Sequence, residues 1–314
     1  MTRRGASATL LLAALCWGSG NVANKTVLND IGPYLAVALR CCIATLIVAP
    51  FALRDVRGRW LAARGSAEWT RSVVGVTLCF AVAVALQQRG FQDTTVTNAG
   101  FLVNTCSILT PVLAWILLGE RSHPGIFAAA AIALFGIFLM TGGRFSIADM
   151  RAGDLICLAS ALFYAAWMVL LGRHLRRFGQ PVLTSAVQFA LSGVALMAVA
   201  VVMEQPAKAP ITAALPELLY LGIVSTGFGF LLQIRAQQYV SSSCAAVITS
   251  AESLFGAAGA YLVLHEYTAG IGIAGAALIL SGIGLAAVCP AARHQPPAGN
   301  GNDSKSARRR VPAG

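Results

Sequence analysis

Ten stretches of this chain, each about twenty residues long and nearly free of charge, follow one another between short polar joints. They lie roughly at 7–27, 34–54, 71–87, 95–118, 124–142, 153–172, 182–203, 214–233, 242–264 and 269–289. A helix needs about twenty predominantly apolar residues to cross the hydrocarbon of a bilayer. Inside hydrocarbon, only helices and closed barrels satisfy every backbone polar group. The runs are continuous instead of alternating with period two, which excludes barrel strands. The expected fold class is therefore an all-α integral membrane protein with about ten transmembrane helices. Only 11% of the residues are charged, against about 25% in a soluble domain, so the polar surface is too small for one. The first run follows Met-Thr-Arg-Arg and mimics a signal peptide. Bulky Leu15 precedes Cys16 where a cleavage site wants a small residue, and the run continues towards Val27. An uncleaved first span is the expectation.

Lys and Arg counts orient the spans. With the amino terminus placed in the cytoplasm, seventeen fall in inside segments and five outside (Lys25, Arg89, Arg144, Arg151, Lys208), with Arg40 inside the second span. This bias puts both termini on the cytoplasmic side. It also explains the net charge of +11 as bilayer orientation and contact with anionic lipid, not nucleic-acid binding.

A segment occurs twice. Residues 88–120 match 234–266 at a constant offset of 146: Arg89 falls on Arg235, Asn104 on Ser250, Trp115 on Tyr261, and Leu118-Gly119-Glu120 on Leu264-His265-Glu266. Elsewhere Ala14-Leu15-Cys16-Trp17 sits against Ala161-Leu162-Phe163-Tyr164 at 147. Five spans per half is an odd number, so the second half enters the membrane from the opposite side. The expected organisation is a first five-helix repeat over 1–143, a second and inverted repeat over 144–289, and a disordered basic cytoplasmic tail over 290–314. A polar-interrupted apolar segment repeated in both halves points to a transporter's substrate site.

Few polar groups lie at membrane depth. Glu252, near the middle of the ninth span, is either a proton-accepting or substrate-binding carboxylate or a helix-to-helix hydrogen-bonding group, and both readings stay open. It shares a face with Ala245, Gly256 and Gly259, small residues that permit close helix approach. Arg40 reads as a structural charge, paired with a carbonyl or carboxylate. Gly100, Asn104, Ser107 and Pro111 form one stripe of the fourth span, matched by Ala246, Ser250, Ser253 and Ala257 on the ninth. Such stripes suit either a polar cavity wall or close packing. The first span adds Trp17, Asn21 and Asn24, whose buried amides need partners. Tyr164 and Trp167 hold a comparable place in the sixth span. Glu120 and Glu266 read as structural clasps, each just before the next helix.

Eight cysteines lie in or beside apolar runs without a CxxC pair, and the four histidines lie at span ends or in loops. No metal site or cofactor is expected. The chain carries no Gly-rich phosphate loop, Ser/His/Asp set or HExxH motif, which argues against a membrane enzyme acting on lipid. No loop is long enough to fold alone, which argues against a scaffold or sensor.

These residues resemble the EamA-type branch of the drug/metabolite transporter superfamily. Trp17-Gly18-Ser19-Gly20-Asn21 is similar to its first-helix WGsnf element, and Leu39-Arg40 to its second-helix arginine. Gly90-Phe91-Gln92-Asp93-Thr94-Thr95 with Thr97-Asn98-Ala99-Gly100-Phe101-Leu102 resembles its GLqyTTa–NAGFL passage. Pro111 to Glu120 resembles its fourth-helix ending, and Ala251-Glu252-Ser253 to Glu266 its ninth-helix EP…GE pattern. Ser253 stands in place of the family's proline, so the resemblance alone does not carry over the usual break beside Glu252. Serines at 241–243 replace its proline-containing start, and His265 replaces a glycine. The resemblance implies ten helices in two inverted repeats around a cavity open to one side at a time, in an inner (plasma) membrane. It favours export of small metabolites such as amino acids or toxic compounds, with import as the alternative. The candidate cavity residues are Trp17, Asn21, Asn98, Asn104, Tyr164, Ser250 and Glu252, with Glu252 the candidate for proton coupling. The partners implied are a small-molecule substrate and the lipid bilayer.

Overall fold

Ten apolar helical segments run back and forth in the computed structural model, which describes residues 1–56, 67–140, 150–206, 208–264 and 270–289. Trp60, the Gly142-Gly143 stop, His265, Glu266 and the 290–314 tail lie outside the described residues. Eight of the ten segments are long and apolar enough to cross a membrane, and Pro124–Met140 is a shorter apolar helix. The remaining segment, the ninth, is split into two short helices.

In chain order the helices are α1 (Arg3–Gly18), α2 (Asn21–Thr26), α3 (Pro33–Val56), α4 (Ala67–Asp93), α5 (Val96–Asn104), α6 (Cys106–Leu118), α7 (Pro124–Met140), α8 (Ala152–Phe178) and α9 (Pro181–Met203). There follow α10 (Lys208–Ala213), α11 (Leu215–Tyr220), a π-helix (Leu221–Gly229), α12 (Phe230–Ala236), α13 (Ser242–Thr249), α14 (Glu252–Leu264) and α15 (Gly270–Val288). The principal packing pairs are α4 on α8, α7 on α15 and α3 on α9. The last two pairs join counterparts of the repeat. Glycines allow the backbones to meet: an added Cβ at Gly136 would lie 2.5 Å from the Gly275 carbonyl, and one at Gly153 2.7 Å from that of Gly90.

Three segments expected to be continuous are interrupted. The first breaks at Ser19-Gly20, the fourth at Thr105 and the ninth at Ser250-Ala251. At Thr105 the hydroxyl bonds the Leu102 carbonyl at 2.6 Å, and at Ser250 the hydroxyl bonds the Val247 carbonyl at 2.6 Å. The same residues' N–H groups also turn back three residues, each at 3.2 Å. Hydroxyl back-bonding of this kind offers the chain an alternative to the helix ladder. The break beside Glu252 therefore forms without proline at 253.

The two copies share several backbone bonds and a helix cap. Ile108 and Leu109 both donate to the Thr105 carbonyl, as Leu254 and Phe255 both donate to that of Ala251. Thr95 caps α5 by accepting from the Asn98 N–H at 3.2 Å, and Ser241 caps α13 by accepting from Cys244 at 3.2 Å. The serine that opens the ninth segment thus does the capping work that Thr95 does in the fourth.

Candidate functional site

The interruptions surround a cavity midway along the bundle. Its walls are built from counterparts in the two halves. Trp17 faces it with Tyr164, Asn21 with Met168, Val103 with Thr249, and Cys106 with Glu252. Gln87 and Gln233 form another pair at offset 146. The repeat therefore begins at least one residue earlier than the 88–120 match suggests. Extending that match would have revealed both glutamines, which sequence reasoning passed over.

Aromatic rings form one wall. Phe230 lies 4.8 Å from Trp17 and 5.6 Å from Trp167 between ring centroids, and both Phe230 and Trp167 rest on fully buried Phe80. Trp167 donates to Gln188 Oε1 at 2.8 Å, and Trp17 donates its indole N–H to the Ser225 carbonyl at 2.9 Å. The second contact uses the π-helix, whose widened turn brings a backbone carbonyl to the site. An added Cβ at Gly229 would stand 2.6 Å from Trp17 Nε1, so a bare backbone is required there.

Polar groups form the opposing surfaces. Tyr164 donates to Gln87 Oε1 at 2.6 Å. Asn104 donates to the Gly100 carbonyl at 2.8 Å and to Ser253 Oγ at 3.1 Å, so the two repeated stripes touch directly. Glu252 opens α14 and lines the cavity. Gly18 of α1 seats that turn, since an added Cβ there would lie 2.5 Å from the Glu252 carbonyl.

Of the seven candidate residues, Trp17, Asn21, Asn104, Tyr164 and Glu252 meet at the cavity. Asn98 and Ser250 do not line it. Asn98 sits half-exposed on the first turn of α5, and the buried Ser250 hydroxyl is occupied by Val247. Arg40, read as a structural charge, also lines it, buried to 4% exposure. Glu120 clasps Arg176 of α8, not the following helix. His174, expected near a span end, is fully buried between Ser72 (2.9 Å) and Thr184 (3.2 Å).

The two helices of the ninth segment differ in burial. Every residue of α13 is buried, whereas the described residues of α14 from 252 to 259 are half-buried or exposed. Beneath the cavity, Gln237 and Ser242 both donate to the Met168 carbonyl, at 2.5 and 2.9 Å. Ser122 bonds Ser243 at 2.9 Å, and Glu120 pairs with Arg176. An added Cβ on Gly100 or Gly259 would meet nothing within 4 Å.

The model of the EamA-like transporter family matches twice, over residues 5–142 and 151–288. An uncharacterized transporter of Archaeoglobus fulgidus is 28% identical over 272 residues, covering 86% of this chain and 82% of the relative. An uncharacterized inner membrane transporter, YicL, of Salmonella typhimurium is 26% identical, covering 84% and 88%. A WAT1-related chloroplastic protein of Arabidopsis thaliana is 24% identical, covering 86% and 66%. A solved crystal structure superposes with a TM-score of 0.74 at 19% identity, covering 91% of this chain and 98% of the other, which shows a common fold. With both halves matched and the bundle of that fold, the chain belongs to the EamA-like transporter family, a multi-pass membrane transporter of the drug/metabolite transporter superfamily.

Proposed function

We propose that the chain exports small metabolites, amino acids or toxic compounds among them, from the cytoplasm by alternating access between two inverted repeats, 1–143 and 144–289. It would sit in the inner (plasma) membrane with both termini and the 290–314 tail cytoplasmic, as the Lys/Arg bias favours. The observation that carries this reading is the cavity itself, walled by counterpart residues of both halves. Rocking one repeat against the other exchanges which end is sealed. In this reading the Ser122–Ser243 and Glu120–Arg176 contacts would form the cytoplasmic gate.

Trp17, Asn21, Asn104, Tyr164, Gln87 and Gln233 would bind substrate, and Glu252 would carry the coupling proton. Only a ligand with different affinities for the two states can bias their exchange. A carboxylate at the first turn of α14, beside the break in the ninth segment, is placed to sense both. Flux of a radiolabelled substrate in proteoliposomes, measured across pH for wild type and Glu252→Gln, tests the assignment. The substitution should lower the rate and flatten its pH dependence. An unchanged rate and profile would remove Glu252 from coupling.

A further inference from the structure

Arg40 is the cavity's unexplained charge. It lies inside α3 at 4% exposure and lines the cavity. One guanidinium nitrogen donates to Asn24 Oδ1 at 2.7 Å, a neutral partner. Its Nε is buried without a hydrogen-bond partner. Among the described residues it makes no ion pair; Glu252, on another wall of the cavity, is not within bonding reach of it. A buried charge at membrane depth is costly and normally has a partner or a functional reason to stay. Asn24 is itself fixed: Gln88 donates to its carbonyl at 2.8 Å. The chain Gln88–Asn24–Arg40 therefore holds one edge of a guanidinium and leaves its remaining donors for something else.

We infer that Arg40 is the anion seat of the cavity, that Asn24 aims it, and that the ligand it receives is a carboxylate. This rests on the reading of the cavity as the substrate site. A guanidinium binds a carboxylate through parallel N–H donors, and Asn24 occupies only one nitrogen of this one. A phosphate dianion would need a second cation. Among the described residues Arg40 is the one Lys or Arg lining the cavity, with Glu252 also present to repel the extra charge. Arg40 thus sets specificity, while Asn24 is a positioning residue.

The probes are the common amino acids, each beside its methyl ester, which lacks the carboxylate, and its N-acetyl derivative, which keeps it. Binding is read on the full chain in detergent from thermal shift and from the fluorescence of cavity-lining Trp17 and Trp167. In wild type, acids and N-acetyl acids should bind at least tenfold tighter than esters. Arg40→Gln should erase that preference, Arg40→Lys should keep part of it, and Asn24→Ala should reduce it a few-fold. The inference is overturned if esters match acids in wild type, if no carboxylate in the panel binds, or if Arg40→Gln keeps the preference. Should Arg40→Gln fail to fold, an unchanged acid-to-ester ratio in both Arg40→Lys and Asn24→Ala overturns it equally. Flux in proteoliposomes separates the two readings. Esters carried while acids are refused would sink the anion seat alone, and acids bound but never carried would sink the transport reading alone.

Discussion

Gly18 offers the sharpest mechanical test, because one methyl group there should disturb Glu252 without altering any cavity side chain. An added Cβ would lie 2.5 Å from the Glu252 carbonyl, 2.6 Å from Phe255 Cβ and 2.8 Å from the Gly256 N–H nitrogen. Ordinary van der Waals contact begins near 3.4 Å, so the start of α14 must retreat from α1 by about 0.9 Å. Two of those three atoms are backbone, so no side-chain rotation relieves the clash. Overpacking of this kind costs about 1–3 kcal/mol. Where the contact tightens in only one access state, the same energy shifts the state equilibrium by roughly 5- to 150-fold. Gly18→Ala should therefore lower the melting temperature of the detergent-solubilised protein and cut proteoliposome flux about tenfold. Gly259→Ala, in the same helix α14, is the control. A Cβ there meets nothing within 4 Å, and replacing helical Gly by Ala adds up to about 1 kcal/mol of stability. If Gly18→Ala melts and transports like Gly259→Ala, the close α1–α14 seam is not what holds Glu252 in place.

Two further perturbations probe the gate and the repeat. In the Glu120–Arg176 pair the carboxylate side chain is 9% exposed and the guanidinium 41%. Removing Arg176 strands a buried charge, whereas removing Glu120 leaves a guanidinium that water can reach. After discounting for that exposure, Arg176→Ala should cost about 1–2 kcal/mol and Glu120→Gln less. Maleimide labelling of buried Cys244, kept as the single cysteine, should speed up by about tenfold in Arg176→Ala from the Arg-rich side; an equal or larger rise in Glu120→Gln would contradict the charge argument. Thr95→Ala and Ser241→Ala each remove a matched helix cap and should each cost about 1 kcal/mol in thermal stability. A much smaller loss at Ser241 would show that the shared cap at the two helix starts is not a match in energy.

The fourth and ninth segments show where sequence reading succeeds and where it stops. Their ends and their common pattern are legible in the chain, because capping and helix-length demands act over a few residues. Their breaks are not. Asn104 with Thr105, and Ser250 with Ala251, contain no proline or glycine, and only the observed back-bonding of hydroxyls to Leu102 and Val247 marks the interruption. By residue type, Asn98 and Ser250 suit the cavity as well as Asn104 does. Asn98 lies six residues before Asn104 in the same helix α5, roughly 240° round its axis, so the two face different ways, and Ser250 satisfies itself locally. Arg40 departs in the other direction. The sequence reads it as a structural charge, and α3 packs on α9 and the π-helix so that its side chain turns inward to Asn24 and lines the cavity.

The amino-acid sequence by itself determined that this chain lives in a bilayer, that it crosses about ten times, and that its halves share a pattern and a family. Those properties follow from summed hydrophobicity, helix length and local caps, which are carried by neighbouring residues. Only the tertiary structure decided which polar groups face one another. Trp17 meets Ser225 across 208 positions, Asn104 meets Ser253 across 149, and Arg40 comes to share a cavity with Glu252. In a membrane, where lipid tails are as apolar as the core, hydrophobicity does not say which face of a helix turns inward. Close backbone approach at Gly18, Gly90, Gly136 and Gly229 makes that choice, and the choice assembles the cavity.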